Sequence, residues 1–106
     1  MAKERGEIWV YKKNQNNESE LGVIVGSTGE SILKIDLLNS IAEINQNLGT
    51  YDIVLENWEE IGLEKPSVVR LKFSEITDGE LISKVATLDK KDINRINESI
   101  IKYLSA

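Results

Sequence analysis

The chain contains neither histidine nor cysteine. The commonest general base, the thiolate nucleophile, disulfides and zinc sites built on sulfur are therefore all excluded. Any chemistry must run on Arg, Lys, Asp, Glu, Ser, Thr or Tyr. Among the cations are Arg5, Lys12, Lys13, Lys34, Arg70 and Lys72. Side chains of this kind bind phosphate oxygens and offset charge that develops on them. Each also has a plainer reading. Arg70, on the polar side of an alternating strand, fits a solvated or salt-bridged surface residue, and the charge of Arg5 beside Gly6 could be incidental to an N-terminal arm. Trp9 and Trp58 offer faces on which bases could stack, at roughly 1–3 kcal/mol each. Both adjoin strongly apolar segments, which favours core packing. The acidic set Glu56, Glu59, Glu60 and Glu64 lacks the convergent spacing of a metal site and reads as the wet face of a short helix, so no metal and no cofactor are expected.

The elements that must position these residues are mostly strands. At 106 residues the chain suits one domain with one modest core. In the run Glu7 to Lys12, Ile8 and Val10 fall on one face, Trp9 and Tyr11 on the other, as in a strand covered on both sides. The stretch NQNNESE, Asn14 to Glu20, has no apolar residue and reads as a solvated loop. LGVIVGS, from Leu21, is β-branched and closes on the turn signal S-T-G-E. A third strand is expected over Ile32 to Leu38, although IDLLNSIAEINQNL also satisfies helical spacing. A strand from about Tyr51 should pass into a helical piece near Glu56 to Ile61, ended by Gly62, with Pro66 preventing its continuation. SVVRLKF is the clearest strand, TDGE (Thr77 to Glu80) is a turn, and ELISKVATL supplies one more short strand.

The period then changes. From Asp89 onward Ile93, Ile96, Ile100 and Leu104 recur at helical spacing, opposite Lys91, Asn94, Glu98 and Lys102. Asp89 can cap this helix, Asp92 sits at its third position where a negative charge suits the dipole, and Leu88 can staple onto Ile93. The expectation is a mainly β protein with a C-terminal α-helix, compatible with a small, partly open barrel. A net charge of -5 opposes nonspecific nucleic-acid binding unless a local basic patch exists. The charged N-terminal stretch MAKERGEIWVYKK lacks the apolar core of a signal peptide and no run reaches membrane-spanning length, so no membrane contact and a cytoplasmic location are expected.

The order of these signatures resembles a known family. RGEIW, a polar loop, a short apolar strand ending in Ser, the segment D-x-x-x-x-x-W-x-x-x-G-L-x-K-P-S-V-V-R (Asp52 to Arg70) and the tail LISKVATLDKKDINRINESIIKYL are similar to the PemK/MazF toxins. The likeness is dense from Tyr51 to Leu104 and weak from Lys13 to Asn47; no single motif is a fingerprint, and the ordered set carries it. It implies a single SH3-like barrel over residues 1–106, homodimerisation, an antitoxin protein as partner, single-stranded RNA as substrate and endoribonuclease activity in a toxin-antitoxin module. Ribonucleases of the family carry Arg-Pro at the start of the second strand and Thr-Ser at the end of the third. The Arg stabilises phosphate charge during attack by the 2′-hydroxyl, and the hydroxyl side chain holds a phosphate oxygen or moves a proton. Here Leu21 and Gly22 stand in place of Arg-Pro, and Asn39 replaces Thr while Ser40 remains. Asn exchanges hydrogen bonds but transfers no proton at neutral pH. No Arg lies between Arg5 and Arg70, so Lys12, Lys13 or Lys34 would have to supply the cation. The resemblance thus leaves Asn39 and Ser40 as candidate catalytic residues, and Arg5, Lys12, Lys13, Ser27, Lys34, Arg70 and Lys72 as candidate nucleic-acid contacts. Ser27, Asn39 and Ser40 read equally as turn residues chosen for local hydrogen bonds. The alternative is a catalytically inactive SH3-like barrel that binds a protein or nucleic acid.

Overall fold

The structure, a computed structural model, describes residues 4–12, 18–39 and 48–106. Among the described residues six strands, one α-helix and a 3-10 turn at Asp78–Glu80 follow in chain order: β1 Glu7–Lys12, β2 Ser19–Thr28, β3 Ser31–Leu38, β4 Ile53–Val54, β5 Val68–Thr77, β6 Leu81–Thr87 and α1 Lys90–Ser105. The strands form one sheet in the order β4-β5-β3-β2-β1-β6, with every neighbouring pair antiparallel. Among the described residues β4 and β6 do not pair, so the sheet is not closed. Register shifts in β2 between Ile24 and Gly26, and in β5 between Arg70 and Ser74 opposite Asp36 and Lys34, mark bulges, which bend and twist the strands that carry them.

Strand alternation sorts the apolar residues onto two faces. Ile8, Val23, Ile35, Leu37 and Val69 join Ile53, Leu55 and Leu63 in the larger core, which Ile93, Ile96 and Ile100 of α1 cover. Tyr11, Ile24, Ile32 and Ile76, with Trp9 and Leu81 against them, make a smaller cluster. The division of Ile8 from Trp9 and Tyr11 follows the alternation of the sequence. Both tryptophans are half-buried, Trp58 packed on the larger cluster and Trp9 on the smaller.

The helix starts as its sequence requires. Asp89 accepts from the backbone N–H of Asp92 at 2.8 Å, and Leu88 and Ile93 lie together in the core. Gly6 fits beneath it at φ +93, with its carbonyl accepting from Leu88 N–H and no room for a Cβ, which would fall 2.8 Å from Ile93 Cδ1. Leu104 departs from the expected core face at 72% exposure, because Tyr103 instead anchors the last turn against Tyr51 and Phe73. Among the described residues no helix is long and apolar enough to cross a membrane.

Three boundaries differ from the sequence expectation. Ser19 and Glu20 belong to β2, paired with Lys12 and Tyr11, because ladder hydrogen bonds outweigh their polarity; residues 14–17 of the expected loop lie outside the described residues. β4 begins at Ile53 and has only two residues. The expected helical piece is a single turn: Leu63 N–H bonds to Trp58 C=O and Gly62 N–H to Glu59 C=O, with Gly62 at φ +99. That Schellman-type stop brings Leu63 back onto Trp58 and delivers the chain, through Pro66, to β5.

Candidate functional site

A groove of about 680 Å³ crosses β1, β2, β3 and β5. Its geometry follows from register. Glu20, Gly22 and Ile24 alternate onto one face of β2, where they stand opposite Tyr11, Asp36 and Lys34 respectively. The Lys34 side chain crosses above Gly22: a Cβ built there would lie 3.1 Å from Lys34 Cδ and 3.2 Å from Tyr11 Cε1. Glycine at position 22 therefore opens the space in which Lys34 and Tyr11 meet.

The meeting is a buried polar chain. Lys34 Nζ donates to Tyr11 Oη at 2.6 Å and to Asp36 Oδ1 at 2.9 Å, and sits 4.3 Å from the Tyr11 ring centroid. Tyr11 Oη in turn donates to Glu20 Oε2 at 3.2 Å, long for such a bond. Lys34 is 5% exposed and Tyr11 4%, whereas Glu20 is exposed. A buried ammonium is tolerated only when paired and hydrogen-bonded, and Asp36 and Tyr11 meet both conditions. Burial alone pulls the Lys34 pKa down, but the bonds to Tyr11 and Asp36 together hold it above its ordinary value. Burial pushes the Tyr11 phenol up, against the opposing pull of Lys34. At neutral pH the pair is therefore ammonium and phenol: a fixed cation beside a proton donor.

Of the residues singled out in the sequence, Leu21, Lys34, Asn39 and Lys72 line this one groove. The others are spread over the molecule. Arg5 donates to the Asn97 side chain on α1, and Arg70 donates to both carboxylate oxygens of Asp52 at 3.3 and 3.0 Å, the salt-bridged reading of the sequence. Ser27 is an exposed strand residue opposite Ile32, not part of the turn, because β2 runs on to Thr28. Lys12 is exposed at the end of β1 beside Ser19. Lys13 and Ser40 lie outside the described residues. Four carboxylates, Glu20, Asp36, Glu75 and Glu80, line the groove against two ammonium groups, Lys34 and Lys72. Among the described residues no three His, Cys, Asp or Glu side chains are grouped to hold a metal ion.

Sequence reading missed Tyr11, Glu20 and Asp36. A signal existed: in ILKIDLL the two polar residues fall two apart, so both must share one face of a strand whose other residues are apolar.

No family model and no curated protein matches the sequence. Solved structures do share its fold. One is an endoribonuclease in complex with its cognate antitoxin from a mycobacterial species, at a TM-score of 0.72 and 12% identity over 98% of this chain and 96% of that one. Another is a mycobacterial endoribonuclease at 0.73 and 14% identity, over 99% and 93%. The unclosed six-stranded antiparallel sheet with one C-terminal helix is thus the fold of these endoribonucleases.

Proposed function

We propose that this chain is a divergent PemK/MazF-like toxin, a cytoplasmic homodimer that cuts single-stranded RNA in the groove and is held inactive by an antitoxin protein. The observation that carries this reading is a coincidence of position. Leu21 of β2 and Asn39, the residue just after β3, stand where the resemblance puts the catalytic Arg and Thr, and both line the same groove. That groove is lined on another wall by Lys34, the cation the sequence required from some lysine. RNA is a substrate whose own 2′-hydroxyl is the nucleophile, so the protein need supply only charge stabilisation and proton transfer. The residues present can do both without histidine.

Carboxylates outnumber ammonium groups in the groove, so the affinity for RNA is weak and falls steeply with salt. The same observation, with Leu21 in the Arg position, favours the second reading: a barrel that keeps the scaffold, has lost cleavage and binds a partner. Induced expression of the chain without an antitoxin separates the two. The toxin reading requires growth arrest with discrete new 5′ ends in cellular RNA by primer extension; unaltered RNA would leave only the second. Dimerisation is checked by sedimentation equilibrium, where a monomer at high micromolar concentration would contradict it.

A further inference from the structure

The polar chain in the groove contains more than a cation. Glu20, Tyr11, Lys34 and Asp36 form one hydrogen-bonded row across three strands, from an exposed carboxylate to a buried ion pair. The Lys34–Asp36 ion pair lies within β3, and the links to the other two strands are the hydrogen bonds of Tyr11. A phenol placed between an ammonium and a separate carboxylate does something an ion pair does not: it can give up a proton to one neighbour's benefit and recover it from the other. All four residues line the groove, Tyr11 with its ring packed in the smaller cluster.

We propose that Glu20 is the general base and Tyr11 the general acid of RNA cleavage in this groove, with Lys34 stabilising the charge that develops and Asp36 positioning Lys34. This rests on the ribonuclease reading given above. A Glu20 carboxylate oxygen takes the proton of the 2′-hydroxyl as that oxygen forms its bond to phosphorus. The bond from phosphorus to the 5′ oxygen breaks, and that oxygen takes the Tyr11 proton. The products are a 2′,3′-cyclic phosphate and a 5′-hydroxyl. Lys34, already donating to Tyr11 Oη, stabilises the phenolate left behind. Glu20, now protonated, returns the proton to Tyr11 through the hydrogen bond the two share, and the groove is restored with no net change. The Tyr11–Glu20 hydrogen bond, long at 3.2 Å, opens when substrate takes both groups and re-forms for the return of the proton. Burial of Tyr11 suits it to the acid role, since a phenol held protonated at neutral pH is still far more acidic than the alcohol it protonates.

The test uses the whole chain, a single-stranded RNA and the variants Glu20→Gln and Tyr11→Phe. Each removes one proton-transfer group with almost no change in volume, and each should lower the cleavage rate by about 10²–10⁴-fold. Glu20→Gln should also abolish the acid limb of the rate against pH. A second substrate, carrying sulfur in place of the leaving 5′ oxygen, needs no acid. On it Tyr11→Phe should recover to within about tenfold of the parent, which a merely distorted groove would not allow. If the parent cleaves RNA and either variant cleaves the ordinary substrate as fast, or the sulfur substrate fails to rescue Tyr11→Phe, the assignment is overturned while the ribonuclease reading stands. If the folded parent leaves RNA intact, both fall together.

Discussion

Replacing Gly22 by Ala is the sharpest probe of how tightly the groove is built. The backbone at position 22 is not in the left-handed region, so steric room alone decides the outcome. The new methyl group would meet Lys34 Cδ at 3.1 Å, Tyr11 Cε1 at 3.2 Å and the Ile35 carbonyl oxygen at 3.4 Å. A free lysine would swing away at little cost. Lys34 cannot do so, because its Nζ is bonded to both Tyr11 and Asp36, and the Tyr11 ring is itself packed in a buried cluster. Overpacking of this sort costs about 1–3 kcal/mol, and the stiffer unfolded chain of Ala offsets about 0.4–1 kcal/mol of it. The expected net loss is about 1 kcal/mol, or roughly 4–8 °C in Tm for a domain of this size. Urea unfolding followed by Trp9 and Trp58 fluorescence reads it as a lower midpoint at unchanged slope. In a Lys34→Ala background the nearest of these contacts is gone and Tyr11 is freed from its bond to Nζ, so the same substitution should cost less, by about 0.5 kcal/mol or more. A Gly22→Ala protein as stable as its parent, with no coupling to position 34, would show that Lys34 is not held as described.

Stability should form a plateau between acid and alkaline limbs. The carboxyls of Glu7, Asp52 and Asp89 are held below their ordinary values: burial raises the first two, but hydrogen bonds from Trp9, the backbone and Lys84 outweigh it for Glu7, as those from Arg70 and the Gly49 N–H do for Asp52. For Asp89 the bonds from the Asp92 N–H and Asn57 dominate. Groups shifted this way stabilise the fold above about pH 4 and lose that contribution as pH falls through their folded values. Lys34 and Tyr11 are shifted up, so their contribution is intact below about pH 10 and is lost as pH rises beyond it; urea midpoints measured from pH 2 to 11 check both limbs. Asp89→Ala removes the helix cap and should cost about 1–2 kcal/mol in the same assay. The double change Leu21→Arg with Asn39→Thr brings a cation and a hydroxyl to the groove's lining and should raise cleavage, since one such donor is commonly worth about 10²–10³ in rate; an unchanged rate would show that these positions do not face the phosphate.

What was legible in the sequence was whatever depends on local pattern. The period of Ile93, Ile96 and Ile100, the Asp89 cap and the Leu88 staple specify α1 without reference to any other element. SVVRLKF declares its strand by β-branched alternation, whereas Ile32 to Leu38, expected as a strand, overlapped a stretch that also satisfied helical spacing; the partly open six-stranded sheet matches the expected fold. Leu104 failed because periodicity says which residues share a face, not how far the partner surface extends along it. Glu20 was read as loop because a polar side chain on a strand looks no different from one in solvent until its cross-strand neighbour, Tyr11, is known. The candidate groove was half legible for the same reason. Lys34 could be picked out as a cation, but its partners lie 23 residues away at Tyr11 and two away at Asp36, and only the register of β1, β2 and β3 joins them.

The central claim, that the groove containing Lys34 cuts RNA, is tested most directly by incubating the purified protein with a long, weakly structured RNA at low salt and mapping the ends by primer extension. The account predicts slow cleavage at discrete positions, suppressed as salt is raised and diminished when Lys34, but neither Lys12 nor Lys13, is changed to Ala. Vigorous cleavage that no one of these three changes alters, or RNA left intact by folded protein, would contradict it.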